Sequence, residues 1–471
     1  MLDEKIISAI VEEVLRKLKV EVGGTTTATS GSGVFSSIDE AVEQARKAHL
    51  AFMDVPIERR KKIIDAMRKI AIEHAEELSK LAVEETGLGR YEDKVNKNLL
   101  AATRTPGIED LQAEAVSGDH GLTVIERAPY GVICSITPST NPSETVINNG
   151  IGMVAGGNSV VFNPHPSAKR ATQRTIELLN SAIVSQGGPP NLLTCVLEPT
   201  IETAQKAMRH PNTRLVVVTG GGAVVREALN SGKKVIAAGP GNPPVVVDET
   251  ADIESAAKHI VSGASLDNNI VCVCEKEVLA VDSIVDRLKT TMLKYGAVEI
   301  KGRDIERLES LVIKENRGPS RHAVTERRYV GKDAGILLRE IGITGHDDAR
   351  LIICETPLSH PFVWTELLMP IIPMVRIADV DQGIELAKQV EHGFGHTAVM
   401  HSTNITKLSK MARFINTTIF VKNGPAYAGL GFGGEGYTSF TIASPTGEGL
   451  TSARTFTRMR RCVLVDYFRI V

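Results

Sequence analysis

Residues 131–169 read GVICSITPSTNPSETVINNGIGMVAGGNSVVFNPHPSAK. Two short runs rich in Val and Ile, GVICSI and SVVFNP, flank a segment over 143–156 with the composition of a helix. The alternation continues downstream: helix over 167–186, LLTCVLE, helix over 200–209, RLVVVTGG, helix over 223–231, KVIAAG. Apolar strands separated by helices predict an α/β fold with a mostly parallel sheet covered on its faces. In such sheets ligands bind at the carboxyl ends of the strands.

Three of those ends are unusual. ITPSTNPSE, 136–144, packs two prolines and several short polar residues ahead of a helix, a rigid turn rich in donors. NPHPSAK, 163–169, brackets His165 with prolines. VVVTGGGAVV, 216–225, runs from strand through glycines into a helix, where backbone amides can cradle a phosphate and glycine lets a ligand come close. Each alone is also what a plain turn carries, and the third lacks the full GxGxxG spacing.

Upstream, Ser37 and Glu40 form a capping-box pattern before AVEQARKAHLAFM, and PIERRKKIIDAMRKIAIEHAEELSKLAVEETG predicts one long helical stretch stopped by Gly87. At the start, Ile6, Ile10, Val14 and Leu18, with Ile7, Val11 and Leu15 beside them, make one apolar stripe on a helix over 1–19. A linker over 20–36 follows, most of it GGTTTATSGSG. A helix this short is marginal alone in water, so its face either folds back on its own body or a neighbouring subunit, or docks in another protein's groove.

At 471 residues the chain predicts two or three domains. With 42% apolar and 23% charged residues and a formal net charge of −2, nothing draws it toward nucleic acid or membranes. No apolar stretch reaches the roughly 20 residues of a membrane span, and MLDEK lacks a signal-peptide layout. Six dispersed cysteines, four of them in Val/Ile/Leu-rich runs, predict a reducing, cytoplasmic-type compartment. His392, His396 and His401 in EHGFGHTAVMH lack the partners of a metal site, so no metal is expected. Cys272 and Cys274, in DNNIVCVCEK (267–276), would share one face of an extended segment, so geometry alone does not choose between them.

Taken in order, GVICSITPSTNPSETVINN, VVFNPHPSAK, VVVTGGGAVV, KVIAAGPGNPPVVVDETAD, GASLDNNIVCVCEK and the long block FVKNGPAYAGLGFGGEGYTSFTIASPTGEGLTSARTFTRMRRCVL are similar to the aldehyde dehydrogenase superfamily. Within it the chain resembles the CoA-acylating, propionaldehyde-type enzymes of bacterial microcompartments, from about residue 34 to 471. The resemblance implies a Rossmann-type cofactor domain over 37–238 with an oligomerisation hairpin at about 112–130, a catalytic domain over 239–425, and a C-terminal segment over 426–471. Its last strand would pair with the hairpin and cross to another subunit, giving a homodimer or homotetramer. Residues 1–19 look like an encapsulation peptide that binds a shell protein, which implies a bacterial cytoplasm and a microcompartment within it.

Laid on these residues, the family pattern makes Cys272 the nucleophile, with its own amide and either Thr140 or Asn141 holding the oxyanion; Asn141 is favoured because a side-chain amide is the more usual donor. The cofactor contacts implied are Thr137, Pro138, Asn163, His165, Pro166, Thr219, Gly220, Gly221, Gly222, Ala238, Gly239, Glu366 and Leu368. NAD is the expected dinucleotide, with NADP open because Asn163 and Pro166 replace the usual ribose-holding Lys and Glu. Hydrolytic members carry a water-activating glutamate at the place of Ala238. Water, with a pKa of ~15.7, needs such a base, whereas a thiol near ~8.5 does not. The implied activity is therefore conversion of a short-chain aldehyde, propionaldehyde by default, with CoA and NAD to acyl-CoA and NADH. The rivals are a hydrolytic enzyme and a non-catalytic microcompartment cargo protein.

Overall fold

The computed structural model describes residues 32–471, so the amphipathic segment 1–19 lies outside the described residues. The chain enters through strand β1 (Val34–Phe35), which pairs parallel with Cys195 and Val196. The linker expected over 20–36 is thus shortened at its end: Val34 and Phe35 are β-formers and find an open sheet edge. Helices Ile38–Met53, Ile57–Glu73, Ala75–Thr86 and Tyr91–Arg104 follow. The long helix predicted over the second and third of these is broken at His74, whose φ of −107° and ψ of 13° leave helical geometry. Gly87, at φ 66°, stops the last of that pair as a left-handed C-cap. Only half of the predicted capping box forms: Ser37 accepts from the Glu40 amide, while the Glu40 carboxylate accepts from Ser36.

A hairpin of β2 (Glu114–Gly118) and β3 (Gly121–Pro129) comes next, then β4 (Val132–Ile136), β5 (Ser159–Asn163), β6 (Leu193–Val196), β7 (Thr213–Thr219) and β8 (Lys234–Ala238). With β1 these form a parallel six-stranded sheet in the order β1-β6-β5-β4-β7-β8. The order runs outward from β4 in both directions, so the carboxyl ends of β4 and β7 flank a switch point of the kind that holds ligands. The helices Pro142–Ala155, Lys169–Ser185, Ile201–Arg209 and Gly222–Leu229 connect these strands. Each begins within two residues of its expected start.

A second sheet carries β9 (Pro244–Val247), β10 (Glu277–Val281), β11 (Ala297–Ile300), β14 (Leu351–Glu355), β15 (Ile371–Ile377), β16 (Thr397–His401) and β17 (Ile419–Lys422), in the order β11-β14-β15-β10-β9-β16-β17, all parallel. Two small hairpins, β12 (Ile313–Glu315) with β13 (Val324–Thr325) and β18 (Ile442–Ala443) with β19 (Gly449–Leu450), complete the loops. Central strands such as Val245–Val247 and Val278–Ala280 are fully buried, as apolar runs covered on both faces must be. Each such Val or Leu contributes about 1.5–3 kcal/mol by leaving water.

The last strand, β20 (Thr457–Val465), pairs antiparallel with β3 of its own chain across the whole length, from Thr457 opposite Pro129 to Val465 opposite Gly121. The expected pairing of the last strand with the hairpin is present, within the one chain. The resulting flap, β2-β3-β20, stands out with Val116, Met459, Val463 and Val465 exposed.

Candidate active site

Four segments converge on Cys272. The first is its own loop. Asp267, Asn268 and Asn269 all take left-handed backbone, with φ of 48°, 55° and 66°. Asp and Asn are the side-chain-bearing residues that tolerate this region best, so DNN is a sequence fitted to a tight reversal. The segment after it is a turn, not a strand, and the Cys274 amide donates to the Val271 carbonyl. The two cysteines therefore do not share a face. Cys272 is half-buried, while Cys274 is wholly buried with its thiol on the Leu266 carbonyl. Burial, then the Glu366 carboxylate, push the Cys272 thiol up to about 12, opposed by Lys276, its own amide and Lys97.

The second segment is the turn at the end of β4. Thr137 is buried with a hydroxyl that has no partner, and its amide donates to the Asn163 carbonyl at 3.3 Å. Pro138 and Thr140 are half-buried, and Asn141 is buried at the start of the helix. Asn141 Oδ1 accepts from Lys97 Nζ at 2.5 Å and its Nδ2 donates to Thr140 Oγ1 at 3.2 Å. Lys97 and Lys94 come from the helix Tyr91–Arg104. Lys94 Nζ donates to the Thr140 carbonyl at 3.0 Å, and both ammoniums meet Asp267 Oδ2, at 3.0 and 2.5 Å. Lys97 also pairs with Glu144 at 3.1 Å. The quartet is neutral, with side chains at most 2% exposed. Removing one member of such a group leaves an uncompensated buried charge and costs about 3–5 kcal/mol. Burial alone would raise the Asp267 carboxyl, but Lys94 and Lys97 outweigh it and hold it below the usual carboxylate range.

The third segment is the loop after β8. Ala238 is 4% exposed at the strand's end and carries no titratable group. Gly239 abuts Pro445, and Gly241 sits where an added Cβ would meet the Cys272 carbonyl at 2.8 Å and His396 Cγ at 3.0 Å. His396 is fully buried with an unpartnered Nε2, and burial together with Lys276 lowers it to about 4, so it is neutral. The fourth is TELLMP. Glu366 accepts from the Gly241 amide at 3.3 Å, and burial raises its carboxyl above the ordinary value. Leu368, at φ 55°, fixes the neighbouring turn by accepting from Gly331.

The glycine turn after β7 leaves room for a ligand. A Cβ at Gly221 would meet nothing within 4 Å, Gly222 opens the helix, and Gly220 donates to the Ala238 carbonyl. Thr219 exchanges a hydrogen bond with Thr441 at 2.9 Å, and Thr441 donates to Asn149. Asn163 is buried and accepts from Thr203, whereas His165 and Pro166 are exposed, His165 capping Ser167. The open glycine turn and the unpartnered Thr137 hydroxyl on adjacent strand ends fit a dinucleotide that supplies both phosphate and polar atoms.

Other residues separate from the site. His392 bonds the Trp364 carbonyl, and His401 stacks on His259 at 6.0 Å. Asn423 exchanges two hydrogen bonds with Ser402, the turn role. Lys94, Lys97, Glu144, Asp267 and Thr441 were not among the sequence candidates. Lys94, Lys97 and Asn98 share one helix face with the buried Ala101, but three polar residues in a row on that face carry no local sign of burial.

The chain matches the Aldehyde dehydrogenase family over residues 21–453. It is 51% identical to the acetaldehyde dehydrogenase (acetylating) EutE of Salmonella typhimurium, over 100% of both chains. Among solved structures it is similar to a Rhodopseudomonas palustris propionaldehyde dehydrogenase with bound CoA and an acylated cysteine, at TM-score 0.90 and 50% identity, covering 92% of this chain and 98% of that one. It is equally similar to a propionaldehyde dehydrogenase from the Clostridium phytofermentans fucose utilisation bacterial microcompartment, at TM-score 0.90 and 48% identity, covering 93% and 100%.

Proposed function

The chain belongs to the aldehyde dehydrogenase family, and from that premise we propose that it is a CoA-acylating enzyme that turns a short-chain aldehyde, CoA and a nicotinamide dinucleotide into acyl-CoA. The observation that carries the choice of acceptor is Ala238: at the end of β8, where a hydrolytic member needs a base, stands a buried methyl group. Cys272 is the nucleophile of the reading. Its sulfur adds to the aldehyde carbonyl, and the oxygen of the resulting thiohemiacetal takes hydrogen bonds from the Cys272 amide and Asn141 Nδ2. A bound nicotinamide dinucleotide supplies the hydride acceptor. Thr219, the glycines 220–222 and Thr137 would hold it from the strand ends, with Glu366 on the opposite wall.

Loss of hydride leaves a thioester on Cys272. The CoA thiol gives up its proton to solvent as its sulfur adds to that carbonyl, the same two donors hold the second tetrahedral oxygen, and collapse breaks the Cys272 Sγ–carbon bond so that Cys272 departs as thiolate and is reprotonated. Water is the poorer competitor because it needs a base that Ala238 does not provide. We propose in addition that the flap joins copies into a dimer or tetramer through its exposed Val116, Met459 and Val463, and that residues 1–19 dock on a shell protein of a microcompartment.

The test is a panel of short aldehydes followed by NADH formation with and without CoA. Product should require CoA, vanish in Cys272→Ala, and shift toward CoA-independent carboxylate in Ala238→Glu. Equal rates with and without CoA in the unmodified enzyme would overturn the reading.

A further inference from the structure

We propose that Lys97, anchored by Asp267, is a positioning residue that orients the Asn141 amide and ties it to the Cys272 loop, so that one buried charge pair holds both halves of the oxyanion site; this rests on the reading of Cys272 and Asn141 given above.

An asparagine side chain can present oxygen or nitrogen to a neighbour, and its surroundings decide which. Lysine has donors only. With Lys97 Nζ at 2.5 Å, the facing atom has to be Oδ1, which turns Nδ2 the other way. Of the two hydrogens on Nδ2, one goes to Thr140 Oγ1 at 3.2 Å and the other is left for a substrate oxygen. A cation on Oδ1 also draws electron density through the amide, which makes the remaining N–H a stronger donor. Thr140, the other candidate, is held by the same network: its hydroxyl accepts from Asn141 and its carbonyl accepts from Lys94, so the two lysines fix both residues of the turn.

The same ammonium is fixed from the other side. Lys97 and Lys94 share Asp267 Oδ2, and Asp267 opens the left-handed run that leads into Cys272. Asp267 is itself pinned: Oδ1 accepts from the Arg90 amide at 2.6 Å and its own amide donates to Asp93 at 2.9 Å. Gly89 lets that turn close on the carboxylate, since a Cβ there would lie 2.0 Å from Oδ1. A movement of the Cys272 loop is therefore transmitted through Asp267 and Lys97 to Asn141. A charge pair that served only to fill the core would have no reason to direct both ammoniums at the two polar atoms of one turn.

The experiment is a double-mutant cycle on the full-length enzyme, reading kcat for CoA-dependent NADH formation, KM for the aldehyde, and dinucleotide binding. Asn141→Ala should lower kcat by about 10²–10³-fold, as loss of one oxyanion donor does. Lys97→Met should lower kcat by about tenfold or more with KM and dinucleotide affinity changed by less than about threefold, because the interaction exists only in the tetrahedral state. The double variant should fall within about twofold of Asn141→Ala alone, since Lys97 acts through the amide. Lys97→Arg, which keeps the charge, should recover part of the loss. Multiplicative single effects, or wild-type kcat in Lys97→Met, would overturn the proposal while leaving Asn141 as the donor. Wild-type kcat in Asn141→Ala would instead remove the oxyanion assignment on which it rests. If Lys97→Met does not fold, the isosteric Asp267→Asn takes its place in the same cycle, with the same non-additivity expected and additivity overturning the proposal.

Discussion

Replacing Gly241 by alanine tests whether the loop after β8 sets the position of Cys272. Gly241 is not among the glycines with left-handed backbone, so alanine meets no conformational penalty there. The obstacle is space. The new methyl would lie 2.8 Å from the Cys272 carbonyl oxygen, 3.0 Å from His396 Cγ and 3.2 Å from its Nδ1, where ordinary contact begins at 3.4 Å. One neighbour is backbone and the other a fully buried ring, so neither can swing aside. Relief takes a shift of about 0.4–0.6 Å shared between the Cys272 loop and the imidazole. Overpacking of this kind costs about 1–3 kcal/mol. In a chain of this size, with an unfolding entropy of about 1 kcal/mol/K, that lowers the melting midpoint by roughly 1–3 °C. Since misplacement by one ångström costs about a hundredfold in rate, half of that predicts a loss of about tenfold in kcat. Steady-state NADH formation at saturating aldehyde, CoA and dinucleotide, with a thermal melt on the same preparation, measures both. Unchanged kcat together with an unchanged melt would refute the close approach of these three groups.

Two further expectations use other parts of the site. In Gly221→Ala the added methyl touches nothing and φ is −67°, so the melt should not move, while KM for the dinucleotide rises by about tenfold or more because its approach is blocked; a change in the melt without a change in KM would contradict the reading of this turn. With the Cys272 thiol pushed up to about 12, about one molecule in 10⁵ is thiolate at pH 7 in the free enzyme. The rate of Cys272 alkylation by iodoacetamide, followed by mass spectrometry against Cys272→Ala, should thus climb about tenfold per pH unit from 7 to 9. A plateau below pH 8 would mean that a base in the resting site already holds the proton.

Much of the fold could be read along the chain because parallel strands and their crossover helices are local in sequence. The runs GVICSI, SVVFNP and RLVVVTGG become β4, β5 and β7 with their helices beginning within two residues of expectation. What was lost lay in packing across distance. Lys94 and Lys97 meet Asp267 some 170 residues away, and a lysine pair on a helix reads locally as a solvated face. Thr441 reaches Thr219 and Asn149 from a loop with no motif of its own. The helix break at His74 has no proline or glycine to announce it. Cys272 and Cys274 were indistinguishable while their segment was taken as extended. The three left-handed residues before them turn that segment and bury one thiol. Asn141 and Thr140 were rivals by motif, and the contact that orients one of them, Lys97 on Asn141 Oδ1, comes from 44 residues away in the chain.

The pairing of β20 with β3 sets the order in which a newly made chain can finish itself. Roughly 330 residues separate the two strands, and at about 5–20 residues per second a ribosome needs on the order of 20–70 s to supply the second after the first. During that interval the hairpin β2-β3 presents an unpaired edge from Gly121 to Pro129, beside an exposed Val116, to every other nascent chain on the same message. Chains translated together can exchange C-terminal strands before each closes on its own. Slowing translation over the second sheet is therefore expected to raise the fraction of strand-swapped species, and an unchanged fraction by size-exclusion chromatography would refute this.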